Sequence, residues 1–86
     1  MNINQLISKV KSKIEKNIPC DKIDIEDKTF LHKAHKGHDA NKFHLKLKIK
    51  SLNLKKLNNL ESTRKIYKIL NKEIKEYIHS IQISIE

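Results

Sequence analysis

The sequence is poor in the residues that build reactive and metal-binding motifs, with one cysteine, one glycine, one proline and no tryptophan among 86 residues. A single cysteine excludes an internal disulfide and the Cys-x-x-Cys motifs of redox and zinc sites. One glycine excludes the glycine-rich loops that cradle phosphate. The nucleophile-elbow motif is also absent, and so short a chain has little room for a substrate pocket. We therefore expect a protein that is not an enzyme.

Long apolar runs are missing as well. No stretch of about 18 apolar residues is present to span a membrane, and Lys9, Lys11 and Lys13 interrupt the N-terminal segment before a secretory signal could form. The single cysteine agrees with a reducing compartment. We expect one domain over residues 1–86, located in the cytoplasm and without a membrane partner.

Charge of one sign dominates the sequence, because 19 basic residues face 10 acidic ones and give a formal net charge of +9. This surplus favours an anionic partner such as nucleic acid. Only Arg64 is an arginine, however, whereas side chains that read bases and phosphates are often arginines. Codon usage rich in A and T would enrich lysine without any function, so both interpretations stay open. The candidate nucleic-acid contacts are Lys46, Lys48, Lys55, Lys56, Arg64 and Lys65.

Apolar residues recur at helical spacing in two segments and alternate with polar residues in three. Pro19 ends the first helix because it cannot continue it. Tyr67 and Tyr77 fall on the apolar stripe of the second helix and are expected at or near the core. Segment 31–42 has no apolar period, and loops of this length are often functional. The expected elements are a helix over 2–17, strands from 22 to as far as 30 and over 43–50, a short helical or irregular connection over 51–59, a helix over 60–77 and a strand over 79–85. This α-β-β-(α)-α-β order predicts an α+β sandwich with helices on one face of a three-stranded sheet.

The five histidines suggest a metal or cluster site. His32, His35 and His38 lie three residues apart in the long loop, His44 begins the polar face of the second strand, and His79 opens the last strand. Imidazole is the commonest metal ligand among side chains. A strand histidine opposite a histidine-rich loop is therefore a candidate site. The alternative for each is a solvated or hydrogen-bonded structural histidine, and His44 is expected to be structural or peripheral.

Five short segments resemble the motifs of the BolA family, in order and at nearly the family's spacing. Each motif alone is unspecific, and together they cover nearly the whole chain. The segments are Asp27-Lys28-Thr29, His32-Lys33-Ala34-His35-Lys36-Gly37, His44-Leu45-Lys46-Leu47-Lys48-Ile49-Lys50-Ser51, Arg64-Lys65-Ile66-Tyr67-Lys68-Ile69-Leu70 and His79-Ser80-Ile81-Gln82-Ile83. The resemblance implies a class II KH-like fold.

Departures from the family pattern bear on nucleic-acid binding. The family's Phe-x-Gly is Leu54-Lys55-Lys56 here, and its Arg-His before Arg64 is Ser62-Thr63. This helix start is the part usually proposed to touch DNA in BolA proteins. KH domains also grip the backbone with a Gly-x-x-Gly loop, which a chain with one glycine lacks. DNA binding is therefore the alternative interpretation.

The resemblance also implies a partner, since BolA-like proteins are known to bind monothiol glutaredoxins with a Cys-Gly-Phe-Ser (CGFS) active site. The two proteins share a [2Fe-2S] cluster, and the glutaredoxin supplies a cysteine and bound glutathione. By position the ligands of this chain are His79 and a loop histidine, with His32 preferred and His35 as second choice. The isolated chain is then expected to hold no cofactor and to be a monomer, with a weak homodimer as the alternative.

Overall fold

The computed structural model describes residues 2–29 and 42–86. The elements in these residues are α1 (Ile3–Asn17), β1 (Lys22–Asp27), β2 (Phe43–Lys50), α2 (Leu52–Lys55), α3 (Asn59–Ile69), α4 (Asn71–Glu76) and β3 (Ile78–Ile85). The predicted α+β architecture is confirmed, and α2 lies in the predicted connection. The KH-like assignment is compatible with this order and stays a prediction. Among the described residues no helix combines the length and the apolarity needed to cross a membrane.

A reciprocal cap begins α1. The Asn2 side chain accepts a hydrogen bond from the Gln5 N–H at 2.8 Å, and Gln5 Oε1 accepts one from the Asn2 N–H at 3.0 Å. The cap satisfies two backbone donors that have no partner within the helix. The buried residues Leu6, Val10 and Ile14 lie four residues apart, so α1 packs through one stripe.

The three strands form one sheet in the order β1-β2-β3. β1 and β2 are antiparallel, whereas β2 and β3 are parallel, so the chain crosses over between them through α2, α3 and α4. The face of the sheet that meets the helices is apolar, and we call the opposite face, which carries Asp24, Glu26, Lys46 and Lys48, the outer face. The buried apolar core consists of Leu6, Val10, Ile14, Ile18, Ile23, Leu45, Leu47, Ile49, Leu54, Ile66, Leu70 and Ile78.

The helix predicted over 60–77 is two helices. Leu70 leaves helical geometry, with φ −97° and ψ 15°, between α3 and α4. The Leu70 N–H still donates to the Ile66 carbonyl at 3.0 Å, and the Ile74 N–H donates to the Leu70 carbonyl at 2.9 Å. The break between α3 and α4 therefore keeps these backbone hydrogen bonds. Because neither proline nor glycine marks it, periodicity alone predicted one helix.

The apolar stripe of this region is narrower than predicted. Ile66 and Leu70 are fully buried, but Leu60 is 59% exposed and Tyr67 is 43% exposed. The expectation that Tyr67 lies at or near the core is wrong, because Ile66 and Leu70 form the buried side of this region and Tyr67 lies on its exposed side. Tyr77 is half-buried against the core, as predicted.

A buried ion pair joins α4 to α1. Glu73 is fully buried, and its Oε1 accepts a hydrogen bond from Lys13 Nζ at 2.8 Å. Lys9 Nζ, one turn away on α1, lies 3.8 Å from Oε2. A buried carboxylate is strongly unfavourable without such compensation. The pair therefore fixes how α4 docks against α1.

Opposite charges are paired across the outer face. Glu26 lies opposite Lys46 and Asp24 lies opposite Lys48 in the register of β1 and β2. A hydrogen bond from Lys28 and the positive charges of Lys28, Lys46 and Lys48 hold the pKa of Glu26 below its usual value. Cross-strand pairs of opposite charge stabilise a sheet. The chain itself therefore offsets part of the lysine charge on this face.

Candidate functional site

A β-bulge at the start of β3 sets the position of His79. Phe43 pairs with Ile78, but the next residue of β2, His44, pairs with Ser80. β3 therefore contains one extra residue, His79, at this point. The His79 side chain is exposed, whereas the preceding Ile78 is buried.

The bulge also changes which residues of β3 face the core. Ile78 and Ile81 both pack against it although they are three residues apart. Strict alternation along a strand that opens at His79 would put His79 on the same face as Ile81, but the inserted residue breaks this alternation. His79 instead lies in solvent at the rim of the sheet.

His44 is buried beside His79, contrary to the expectation that it lies on a wet face. Only 5% of His44 is exposed, and its Nδ1 lies 2.6 Å from Ser80 Oγ, which is a hydrogen-bonding distance. The ring centroids of His44 and His79 are 4.8 Å apart, with ring planes at 72°. This is an edge-to-face contact. The fold thus brings two histidines together that are 35 residues apart in the chain.

The end of β1 holds the backbone of His44. The Lys28 N–H donates to the His44 carbonyl at 2.7 Å, and the His44 N–H donates to Thr29 Oγ1 at 3.1 Å. Asp27 Oδ1 accepts hydrogen bonds from both the hydroxyl and the N–H of Thr29. Through these hydrogen bonds, the segment Asp27-Lys28-Thr29 links the end of β1 to the start of β2.

The loop histidines predicted as ligands, His32 and His35, lie outside the described residues. The third loop histidine, His38, lies outside them as well. Their part in the site stays a prediction. Within residues 2–29 and 42–86, no group of three or more His, Cys, Asp or Glu side chains is arranged to hold a metal ion. The exposed imidazole of His79 at the rim of the sheet fits a metal group that is held jointly with donors from elsewhere.

Cys20 lies at the other end of the sheet. It lies two residues before the start of β1, where the strand pairs with the end of β2, whereas His44 lies at the beginning of β2. The Cys20 thiol donates to the Ile18 carbonyl at 3.2 Å. Burial, and then the negative charges of Glu15 and Asp21, raise the pKa of Cys20. The thiol is half-buried and remote from the histidine pair.

The predicted nucleic-acid contacts lie on two sides of the sheet. Lys46 and Lys48 are half-buried on the outer face, opposite acidic residues of β1. The other four are exposed in the helical layer, and we call them the helical basic group: Lys55, Lys56, Arg64 and Lys65. The six residues therefore do not share one face of the domain.

Sequence reasoning missed the grouping of His44, Ser80 and His79. The available signal was that His44 and His79 each lie at the start of a predicted strand. Two parallel neighbours would bring those starts together. Neither the parallel pairing nor the bulge that puts Ser80 opposite His44 is visible in the periodicity.

Fold and site together define a small α+β domain that presents an exposed imidazole beside a buried one. A family model described as "BolA-like protein" matches residues 14–86. The chain belongs to this family.

Named relatives support the assignment. The chain is 29% identical over 83 residues to the "DNA-binding transcriptional regulator BolA" of Haemophilus influenzae. The matched region covers 96% of this chain and 75% of that protein. The structure of BolA1 from Arabidopsis thaliana is similar, with a TM-score of 0.79 and 24% identity over 93% of this chain and 88% of that one. The BolA domain of SufE1 from Arabidopsis thaliana has the same TM-score and identity over 100% of this chain and 93% of that one. At these identities the two structures establish the likeness of the fold.

Proposed function

We propose that this chain is an adaptor that binds a monothiol glutaredoxin and shares a [2Fe-2S] cluster with it, in cluster trafficking or its regulation. His79 supplies one imidazole to the iron, and a histidine of segment 30–41, His32 before His35, supplies another. The glutaredoxin supplies a cysteine and bound glutathione. The observation that carries the proposal is the exposed His79 imidazole at the β-bulge.

The position of the residues that flank segment 30–41 supports this arrangement. The hydroxyl of Thr29, the residue just before the segment, accepts a hydrogen bond from the His44 N–H at 3.1 Å. Lys42, the residue just after the segment, immediately precedes β2. The two described residues that flank the segment therefore lie near the histidine pair. At about 3.3 Å per extended residue, a residue in the middle of the segment has ample reach to His79.

The donor chemistry also suits a carrier or sensor. A neutral imidazole adds no negative charge, so imidazoles in place of thiolates raise the reduction potential of an iron–sulfur cluster. An imidazole ligand competes with protons for its nitrogen, which makes ligation dependent on pH. A site shared between two chains can therefore be loaded and emptied more readily than an all-cysteine site within one chain.

Substitution of His79 tests the proposal. The chain is co-produced anaerobically with a CGFS glutaredoxin, glutathione, iron and sulfide, and a coloured heterodimer is expected. His79→Ala is expected to shorten the lifetime of the cluster about tenfold or more and to change its visible circular dichroism. Gln82→Ala, which removes another exposed polar side chain from β3, is expected to leave both unchanged.

Two results would count against the proposal. Unaltered absorption and lifetime in the His79→Ala complex would exclude His79 as a ligand. A wild-type chain that formed no coloured complex with the glutaredoxin would contradict the adaptor function itself.

DNA binding is the second candidate, because the Haemophilus influenzae relative is named as a DNA-binding transcriptional regulator. The helical basic group is the surface that we propose for this role. Its side chains are exposed, whereas Lys46 and Lys48 lie opposite acidic residues that offset their charge.

Fluorescence anisotropy with a labelled duplex tests this candidate at about 50 mM salt. Changing all four residues of the helical basic group to glutamine is expected to weaken binding at least tenfold and to flatten its salt dependence, because fewer counterions are released. Lys46→Gln with Lys48→Gln serves as the control on the outer face and is expected to change binding less. If the wild-type chain does not bind the duplex at this salt concentration, the candidate is excluded.

A further inference from the structure

Because His79 lies at a bulge, regular strand pairing does not fix the orientation of its ring. The step from Phe43 to His44 on β2 is matched by two residues on β3. His79 is the extra residue, and its side chain is exposed. An exposed side chain samples several rotamers unless a neighbour restricts it. A ligand that must be ordered on binding loses affinity.

His44 is the neighbour that contacts the His79 ring. The centroid separation of 4.8 Å and the interplanar angle of 72° lie within the range that favours edge-to-face packing of aromatic rings. The contact involves one buried ring and one exposed ring, because His44 is only 5% exposed. Because the buried His44 ring has little freedom to move, it restricts the orientation of the exposed ring that packs against it.

His44 is itself held on three sides. Its Nδ1 lies 2.6 Å from Ser80 Oγ, its N–H donates to Thr29 Oγ1, and its carbonyl accepts from the Lys28 N–H. Ser80 directly follows His79 in the chain, so the hydrogen bond ties β2 to the residue beside the bulge. The arrangement resembles the outer-shell support that fixes the ring of a metal-binding histidine.

We propose that His44, held by Ser80, is a positioning residue that restricts the rotamers of His79 and so prepares its imidazole for ligation. The restriction of His79 stands on the geometry of the free chain, and its consequence for the cluster rests on the proposed function. His44 acts through His79 and does not itself bind iron.

Four variants separate this role from its alternatives. His44→Ala removes both the ring contact and the hydrogen bond, whereas His44→Phe keeps an aromatic ring that has no nitrogen. Ser80→Ala removes the hydrogen bond and leaves both imidazoles in place. Ser84→Ala is the matched control, because it makes the same change on the same strand where the serine pairs with Lys48.

The first measurement uses the isolated, labelled chain and needs no cluster. Three-bond NMR couplings are expected to show one dominant His79 χ1 rotamer in the wild type and in Ser84→Ala, and full rotamer averaging in His44→Ala. Partial averaging is expected in Ser80→Ala and His44→Phe, because both keep a ring at position 44 but lose its hydrogen bond. Thermal unfolding is followed in parallel. Unchanged His79 couplings in a folded His44→Ala would overturn the proposal, and if His44→Ala does not fold, unchanged couplings in both Ser80→Ala and His44→Phe would overturn it.

The second measurement uses the cluster-loaded heterodimer. His44→Ala is expected to release the cluster roughly 3- to 10-fold faster, as expected when one side chain must be ordered anew. Ser80→Ala and His44→Phe, which keep a ring at position 44, are expected to have smaller effects. Pulsed EPR of the reduced cluster should show the same nitrogen couplings in His44→Phe as in the wild type. Loss of a nitrogen coupling in His44→Phe would make His44 a ligand and would overturn the positioning role. If the wild type forms no cluster complex, the proposed function fails, while the rotamer measurement still decides the role of His44.

Discussion

Replacing Lys13 with methionine is expected to lower the free energy of unfolding by about 2–3 kcal/mol. Lys13 donates the 2.8 Å hydrogen bond to Glu73, a fully buried carboxylate. Methionine preserves most of the apolar stem but leaves the carboxylate without its close partner. The expected loss is smaller than for a fully enclosed pair, because 34% of the Lys13 side chain is exposed and Lys9 Nζ lies 3.8 Å from the same carboxylate. A chain of this size has a total stability of only roughly 4–13 kcal/mol, so the loss is a large fraction of it.

Urea unfolding followed by circular dichroism measures this effect. Lys16→Met, on the same helix, is the control for loss of a surface lysine and is expected to change stability by less than about 0.5 kcal/mol. Changing Glu73 to leucine in the Lys13→Met background is expected to recover stability, because an apolar pair can replace a buried ion pair at little cost. A Lys13→Met variant as stable as Lys16→Met would contradict the structural role of the pair.

Periodicity predicted the elements of this fold because most of them are decided locally. The helical stripe of α1, the residue Pro19 beyond its end and the alternation along β2 each need only neighbouring residues to be recognised. The start of α1 moved by one residue because Asn2 is the cap rather than a helical residue. The break at Leu70 was not predicted, since packing imposes it without proline or glycine.

The site was less predictable than the fold because it depends on pairing between distant segments. His79 was singled out through the family resemblance, and the structure places it at an exposed strand start. The burial of His44 and its contact with Ser80 depend on a one-residue shift between parallel strands, which no local pattern encodes. The Glu73 ion pair was missed for a similar reason, since a glutamate on a helix is normally read as a surface residue.

Truncating Leu47 to alanine is expected to have the largest effect on stability, a loss of about 3–5 kcal/mol. Leu47 is fully buried in the central strand, where β1 pairs on one side and β3 on the other. The helices cover its face of the sheet, so the neighbouring side chains have little freedom to close the cavity that the substitution leaves. Leu52→Ala is the matched control, because it makes the same chemical change at a side chain that is 71% exposed.

The comparison of these two leucines tests whether the core lies where the structure places it. Leu52→Ala is expected to stay within about 0.5 kcal/mol of the wild type, whereas Leu47→Ala is expected to unfold at a much lower urea concentration, because a loss of about 3–5 kcal/mol is a large fraction of the roughly 4–13 kcal/mol expected for a chain of this size. Urea midpoints for both variants give the difference directly, provided that the slope of the unfolding transition is unchanged. Equal midpoints would mean that β2 does not lie beneath the helices.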